Sequence, residues 1–221
     1  MAVTSDLDST IGRGVTYWII RTYALSHLTF ALRSGHTCIV HAAAGGVGSL
    51  LTQMAKNAGA KVIATVSTAQ KAELARDAGA DEVILYTQTG FYEEVMNITK
   101  REGVDVVYDG VGEATFEQSL RCLHPRGLLA LYGAASCPVP PFDLGRIAQK
   151  GSLNITRPNN LDYVRTREEL TSNACAVFGM YQDGRLKVRV NPPYPLQDVA
   201  RAHMDLESRK TDGKLILAIG D

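Results

Sequence analysis

Nowhere in these 221 residues does an apolar run approach the roughly 20 needed to cross a bilayer, so no membrane segment is expected. An excess of charge of either sign is missing too. Lys+Arg and Asp+Glu both number 23, and no basic tract could grip a phosphate backbone, which argues against nucleic acid as a partner. The opening Met1-Ala2-Val3-Thr4-Ser5-Asp6-Leu7-Asp8 is acidic and has no signal-peptide apolar region, so the default expectation is a cytoplasmic location. Cysteine is sparse: Cys38, Cys122, Cys137 and Cys175 lie far apart, without the C-x-x-C pairs of a structural zinc site or the density of a disulfide scaffold. They are expected to be reduced, Cys38 within a buried strand, and no metal site is expected. Several catalytic signatures are also lacking. No tyrosine has lysine four places later, G-x-S-x-G does not occur, and serine rather than lysine follows Gly48, which disfavours short-chain dehydrogenases, serine hydrolases and P-loop nucleotidases.

What is present is a chain 45% hydrophobic, long enough for one domain and a piece or for two small ones. After an amphipathic segment from Thr16 to Leu32, strand-length runs recur at Thr37–Val40, Lys61–Val66, Glu82–Tyr86, Asp105–Tyr108, Leu128–Tyr132 and Leu153–Thr156. Between them Val47–Asn57, Ala69–Asp77, Phe91–Arg101 and Glu113–Leu123 space apolar residues three and four apart, and Gly59, Gly79, Gly103 and Gly127 follow as terminators. Such alternation predicts an α/β fold, a doubly wound parallel sheet of the Rossmann type, over residues 14–157 after an N-terminal segment 1–13. From Pro158 the alternation stops. Residues 158–221 read as a second unit, with a helix Leu161–Tyr181, a run Leu186–Val190, the proline-rich Asn191–Pro195, a helix Leu196–Glu207 and a strand Lys214–Ile219.

The junction Val40-His41-Ala42-Ala43-Ala44-Gly45-Gly46-Val47-Gly48 links the first strand to the first helix. Read as G-x-G-x-x-G it is Ala43-x-Gly45-x-x-Gly48, with glycine where backbone meets a pyrophosphate and where helix packs on strand. Helix amides and the positive end of the dipole at Ala44, Gly45, Gly46 and Val47 would face the anion; taken alone, the pattern is equally an ordinary tight turn. Strand two ends in Val66-Ser67-Thr68, followed by Lys71. An acid there would select NAD through the ribose 2′-hydroxyl; its absence, with two hydroxyls and a cation, points to the 2′-phosphate of NADPH. The plainer reading of Lys71 is a solvated helix lysine. A nucleotide-fold methyltransferase, which would want that acid, is a distant alternative.

These segments, together with Gly79-Ala80-Asp81, Gly103-Val104-Asp105-Val106-Val107-Tyr108-Asp109, Lys150-Gly151-Ser152-Leu153, Thr156-Arg157-Pro158, Thr166-Arg167-Glu168-Glu169-Leu170 and Tyr194-Pro195-Leu196, resemble the zeta-crystallin-type quinone oxidoreductases. These are zinc-independent members of the medium-chain dehydrogenase/reductase superfamily. The resemblance runs from Gly14 to Leu217 and implies NADPH-dependent reduction of a quinone in a cytosolic homo-oligomer, usually a homodimer. It implies further that Lys71, Tyr86 and Arg209 hold the 2′-phosphate, Ser67 and Thr68 lie by the adenosine ribose, Thr16 lies near the nicotinamide, and Gly133 and Ala134 lie along the cofactor. The chain departs from the family where Gly110 replaces a common serine, Ala134 an asparagine and Asn154 an aromatic, which predicts fewer polar contacts to the nicotinamide half. The resemblance begins well inside the family's usual sequence, so the GroES-like amino-terminal domain is expected to be absent and residues 158–221 to be a remnant of the catalytic domain.

Quinone reduction suits a site poor in acid–base residues, because the cofactor carries the hydride and water can supply the proton. No catalytic residue is assigned. His41 borders the glycine turn, but a histidine finishing a buried strand is more often a packed core residue than a proton donor. Two functions of different kinds therefore stand: an NADPH:quinone reductase acting on a quinone or related α,β-unsaturated carbonyl, and a shortened NADPH-binding module without turnover that pairs with an intact subunit through Leu153–Thr156.

Overall fold

The structure is a computed structural model that describes residues 18–87, 90–189, 191–208 and 215–218. Its centre is a six-stranded parallel sheet made of β1 (Thr37–His41), β2 (Lys61–Val66), β3 (Glu82–Leu85), β4 (Val104–Asp109), β5 (Leu123–Leu131) and β6 (Asn154–Thr156). Their order, β3-β2-β1-β4-β5-β6, is that of the doubly wound dinucleotide-binding sheet. The helices between them are α1 (Gly46–Asn57), α2 (Ala69–Asp77), α3 (Phe91–Ile98) and α4 (Glu113–Cys122). Strands covered on both faces must be apolar on both, and β1 meets that demand. Cys38 and Val40 pack with Leu51, Ala55 and Ala72 of α1 and α2, whereas Ile39 packs with Phe91, Val95, Phe116 and Leu120 of α3 and α4.

The strands finish together. His41 stands opposite Thr65, Val66 opposite Leu85, Val40 opposite Tyr108 and Asp109 opposite Leu131, so the turns that leave them share one edge of the sheet. Residues 18–23 are helical and continue as a π-helical turn, Ala24–Thr29, which lies against α1.

Several element ends differ from those expected from the sequence. β1 and β4 are longer than expected, because His41 and Asp109 remain in the ladder despite their polarity. β3 stops at Leu85 and β6 starts at Asn154. α3 ends at Ile98 instead of Arg101, as Lys100 and Arg101 turn into the left-handed region with φ 53° and 70°. α4 gives way at Leu123 to β5, which starts ahead of Leu128 and shifts register between Val104 and Val106 on its partner. Gly127 therefore lies within a strand and terminates no helix; the left-handed residue beside it is Arg126, φ 68°. An unanticipated short helix, α5 (Gly145–Gln149), precedes β6.

The tail departs further from expectation. The helix expected from Leu161 is α6 (Arg167–Gln182), preceded by a 3-10 turn at Asn160–Tyr163. A capping box sets its start: Glu169 N–H donates to Thr166 Oγ1 and Thr166 N–H to Glu169 Oε2, both at 3.1 Å. Val177 and Met180 of α6 pack with Leu186, Ile19, and Leu50 and Met54 of α1. Residues 186–189 form no strand; Gln53 of α1 holds them by accepting from Lys187 N–H at 2.7 Å and donating to its carbonyl at 3.0 Å. A two-residue β7 (Tyr194–Pro195) pairs in parallel with β8 (Leu217–Ala218); of the expected final strand Lys214–Ile219, residues 215–218 are described and only 217–218 are strand. Between them a 3-10 turn at Leu196–Asp198 leads into α7 (Val199–Glu207).

Candidate cofactor site

The β1–α1 turn is built of small residues because backbone crosses backbone there. Ala42 adopts φ 51°, so the left-handed residue of the turn is Ala42, one place ahead of the Ala43 of the first fingerprint slot. Gly45 N–H donates to the Ala42 carbonyl at 2.9 Å. A Cβ on Gly48 would lie 2.3 Å from that carbonyl oxygen and 2.8 Å from Ala43 Cα, so only glycine lets the helix approach the strand. Gly45 caps α1 without a side chain, which leaves the first-turn amides of Gly46, Val47 and Gly48 without an intrahelical acceptor and aimed outward from the sheet's carboxyl edge. Ala44, Gly45, Gly46 and Val47 are thus brought together as a cradle of the shape and polarity that a diphosphate fits.

Ser67, Thr68, Lys71 and Tyr86 gather at the neighbouring corner, past the ends of β2 and β3. Tyr86 N–H donates to the Val66 carbonyl at 3.2 Å, and the tyrosine is 46% exposed. Thr68 caps α2, its Oγ1 accepting from Lys71 N–H at 3.2 Å, so its hydroxyl has a structural task as well as the expected ribose contact. The first turn of α2 holds no acid. The corner is therefore suited to a 2′-phosphate. Thr16 and Arg209, expected to touch the nicotinamide and the 2′-phosphate, lie outside the described residues.

Gly133 and Ala134 lie in the turn after β5, and that turn is stitched to the one after β4. Tyr132 N–H donates to the Asp109 carbonyl at 2.8 Å, Ala135 N–H to the Gly110 carbonyl at 3.1 Å and Ser136 N–H to the Val111 carbonyl at 2.8 Å. A Cβ on Gly133 would come within 2.5 Å of the Gly110 oxygen. At Gly110 a Cβ would lie 2.7–2.9 Å from the Tyr132 ring and hydroxyl, so the aromatic fills the space that a side chain would need. Arg21 donates to the Tyr132 carbonyl and lies 5.4 Å from the Trp18 and Tyr132 ring centres. Arg157 Nη1 reaches the Gly133 carbonyl at 3.4 Å.

His41 is fully buried, between Thr65 Oγ1 at 2.7 Å and Ser119 Oγ at 3.0 Å. Burial holds its pKa below the usual histidine range against the pull of Asp109, as befits a packed core residue. Cys38 and Cys122 are buried thiols pushed up to about 12 by burial, and all four cysteines are free. Among the described residues no group of three or more His, Cys, Asp or Glu could hold a metal ion. The guanidiniums of Arg21 and Arg157 beside the β5 turn carry no local signal of their place: Arg157 lies in Thr156-Arg157-Pro158, and only the fold brings it there.

The fold and sequence are shared with known proteins. The family model described as "Zinc-binding dehydrogenase" matches residues 46–164. The quinone oxidoreductase of Salmonella typhimurium is 46% identical over 200 residues, covering 90% of this chain and 61% of that protein. The crystal structure of Escherichia coli quinone oxidoreductase complexed with NADPH superposes with a TM-score of 0.88 at 44% identity, covering 91% of this chain and 62% of that one. That of a 2-haloacrylate reductase gives 0.90 at 38% identity, covering 97% and 67%. The chain spans about six tenths of the length of the quinone oxidoreductases it matches.

Proposed function

Because this chain belongs to the zinc-binding dehydrogenase family, we propose that it acts as an NADPH-dependent quinone oxidoreductase, reducing a quinone or related α,β-unsaturated carbonyl. One observation carries the reading: a helix start with no side-chain cap, beside a second strand that ends without an acid and with Lys71 in the first turn of the next helix. The relatives agree in kind, being named quinone oxidoreductases and a 2-haloacrylate reductase. The module without turnover draws no support from them.

In this reading the amides of Gly46, Val47 and Gly48 hold the diphosphate. Ser67 and Thr68 lie at the adenosine ribose, and Lys71 and Tyr86, joined by Arg209, hold the 2′-phosphate. Thr16, Gly133 and Ala134 border the nicotinamide. NADPH, when bound, supplies a hydride from its nicotinamide ring. The protein positions the acceptor carbonyl compound and keeps the two reactants aligned, while water delivers the proton that completes the hydroquinone. Zinc has no role here, as the family resemblance implies. The same proposal includes a homodimer in the cytoplasm, with residues 14–157 as the dinucleotide-binding unit and 158–221 as part of the catalytic one. Among the described residues no helix is long and apolar enough to cross a membrane.

The test is charge removal at the 2′-phosphate corner. Lys71→Ala is expected to weaken NADPH by about tenfold, the worth of a charge-assisted hydrogen bond, and to leave NADH within about twofold. Calorimetric titration with both cofactors, alongside NADPH oxidation in the presence of a benzoquinone, gives the answer; equal losses for the two would remove Lys71 from the site.

A further inference from the structure

Asp109 ends β4 fully buried, and the function proposed above gives it no task. A buried carboxylate is tolerated only when its lone pairs are satisfied, and four donors converge on this one. Oδ1 accepts from the amides of Val111 at 2.8 Å and Gly112 at 3.1 Å, and Oδ2 accepts from Thr115 Oγ1 at 2.7 Å and Ser119 Oγ at 3.1 Å.

Proton accounting then extends the network. Ser119 has a single hydroxyl proton and gives it to Asp109, so at the 3.0 Å contact with His41 Nε2 it must accept. His41 is thereby the Nε2–H tautomer, and its bare Nδ1 accepts from Thr65 Oγ1 at 2.7 Å. Every bond in this relay is donated toward Asp109: from Thr65 on β2, through His41 on β1 and Ser119 on α4, to the end of β4. On its other side Asp109 fixes the amides of the Gly110–Gly112 turn. That turn accepts from Ala135 and Ser136, in the loop that carries Gly133 and Ala134.

We propose that Asp109 is a positioning residue for the nicotinamide half of the site, setting the Gly110–Gly112 turn and through it Gly133 and Ala134, with the Ser119–His41–Thr65 relay anchoring it to β2. This rests on the cofactor reading above. Asparagine at this position separates positioning from simple bulk. Its oxygen still serves the two amides, but its NH2 group faces two hydroxyls, and Ser119 must then turn its proton toward His41 Nε2.

Asp109→Asn is therefore expected to move His41 from the Nε2–H to the Nδ1–H tautomer, read by 15N NMR of histidine-labelled protein with His41→Gln as the assignment control. It is expected to weaken NADPH about tenfold, and 2′-phospho-ADP-ribose, which lacks the nicotinamide, by no more than about twofold. Ser119→Ala, which spares the amide bonds, serves if the first variant does not fold, with NADPH about threefold weaker and the fragment unchanged. Equal weakening of both ligands, unchanged NADPH affinity in a folded variant, or an Nδ1–H tautomer in the unsubstituted protein overturns the proposal. A wild-type chain that binds neither ligand overturns the cofactor reading instead, and the tautomer measurement still decides the relay.

Discussion

At the scale of single residues, two positions near the glycine turn respond to different physics. Gly48→Ala forces a Cβ to within 2.3 Å of a carbonyl oxygen, and neither α1 nor β1 can retreat without disturbing the packed sheet. The expected cost is about 1–3 kcal/mol of stability, together with loss of NADPH binding, checked by chemical denaturation and titration. His41 is sensitive to acid. Burial lowers its pKa in the folded chain, so the unfolded chain takes up a proton at higher pH than the folded one. Its contribution to stability is therefore complete above about pH 6.5 and declines as pH falls from there toward the depressed folded value. Melting midpoints measured between pH 8 and pH 5 are expected to fall, and to fall less steeply in His41→Gln; identical slopes would remove His41 as the cause. The sequence made His41 legible as a core residue because it ends an apolar strand beside small residues. It did not reveal that Ala42 takes the left-handed conformation, since adjacent alanines differ only in the backbone path imposed on them.

For whole elements, apolar spacing located each helix but not its ends. α6 begins at Arg167 because Thr166 and Glu169 cap it reciprocally, a signal present in Thr166-Arg167-Glu168-Glu169 but outweighed by the apolar residues that continue the period back to Leu161. The Leu186–Val190 run looks like a strand by composition, yet residues 186–189 have side-chain amides for neighbours instead of a ladder. Gln53 brackets Lys187, and Asn57, one turn further along α1, donates to the Arg185 carbonyl at 2.7 Å. Replacing both, Gln53→Ala with Asn57→Ala, is expected to raise amide exchange across 185–188 by roughly tenfold while β1 and β4 keep their protection. Uniform acceleration would mean that the clamp supports the entire fold.

Over the molecule as a whole, the sheet was readable because a parallel strand order leaves few solutions once helices and strands alternate and crossovers are right-handed. The apolar residues of β1 alternate between two helix layers, and that pattern is written directly in Cys38, Ile39 and Val40. The tail was not readable in the same way, because the pairing of the two-residue β7 and β8 depends on neighbours distant in sequence. The candidate site fell between these cases: the glycines of the β1–α1 turn were visible, whereas the convergence of Arg21, Tyr132 and Arg157 at the β5 turn required three segments to be placed side by side.

The two turns that close β4 and β5 are laced to each other through main-chain atoms, from Asp109 with Tyr132 to Val111 with Ser136. Two side chains join that lacing, Asp109 through the Val111 and Gly112 amides and Ser136 through the Val111 carbonyl. The Ala134 methyl takes no part in it, so larger or polar groups there are expected to leave the frame unaltered, whereas Gly110 is held small by its aromatic neighbour. Under the proposed function, the surface that this loop turns toward the acceptor is therefore varied most directly at position 134, and a saturation library there is the natural place to begin.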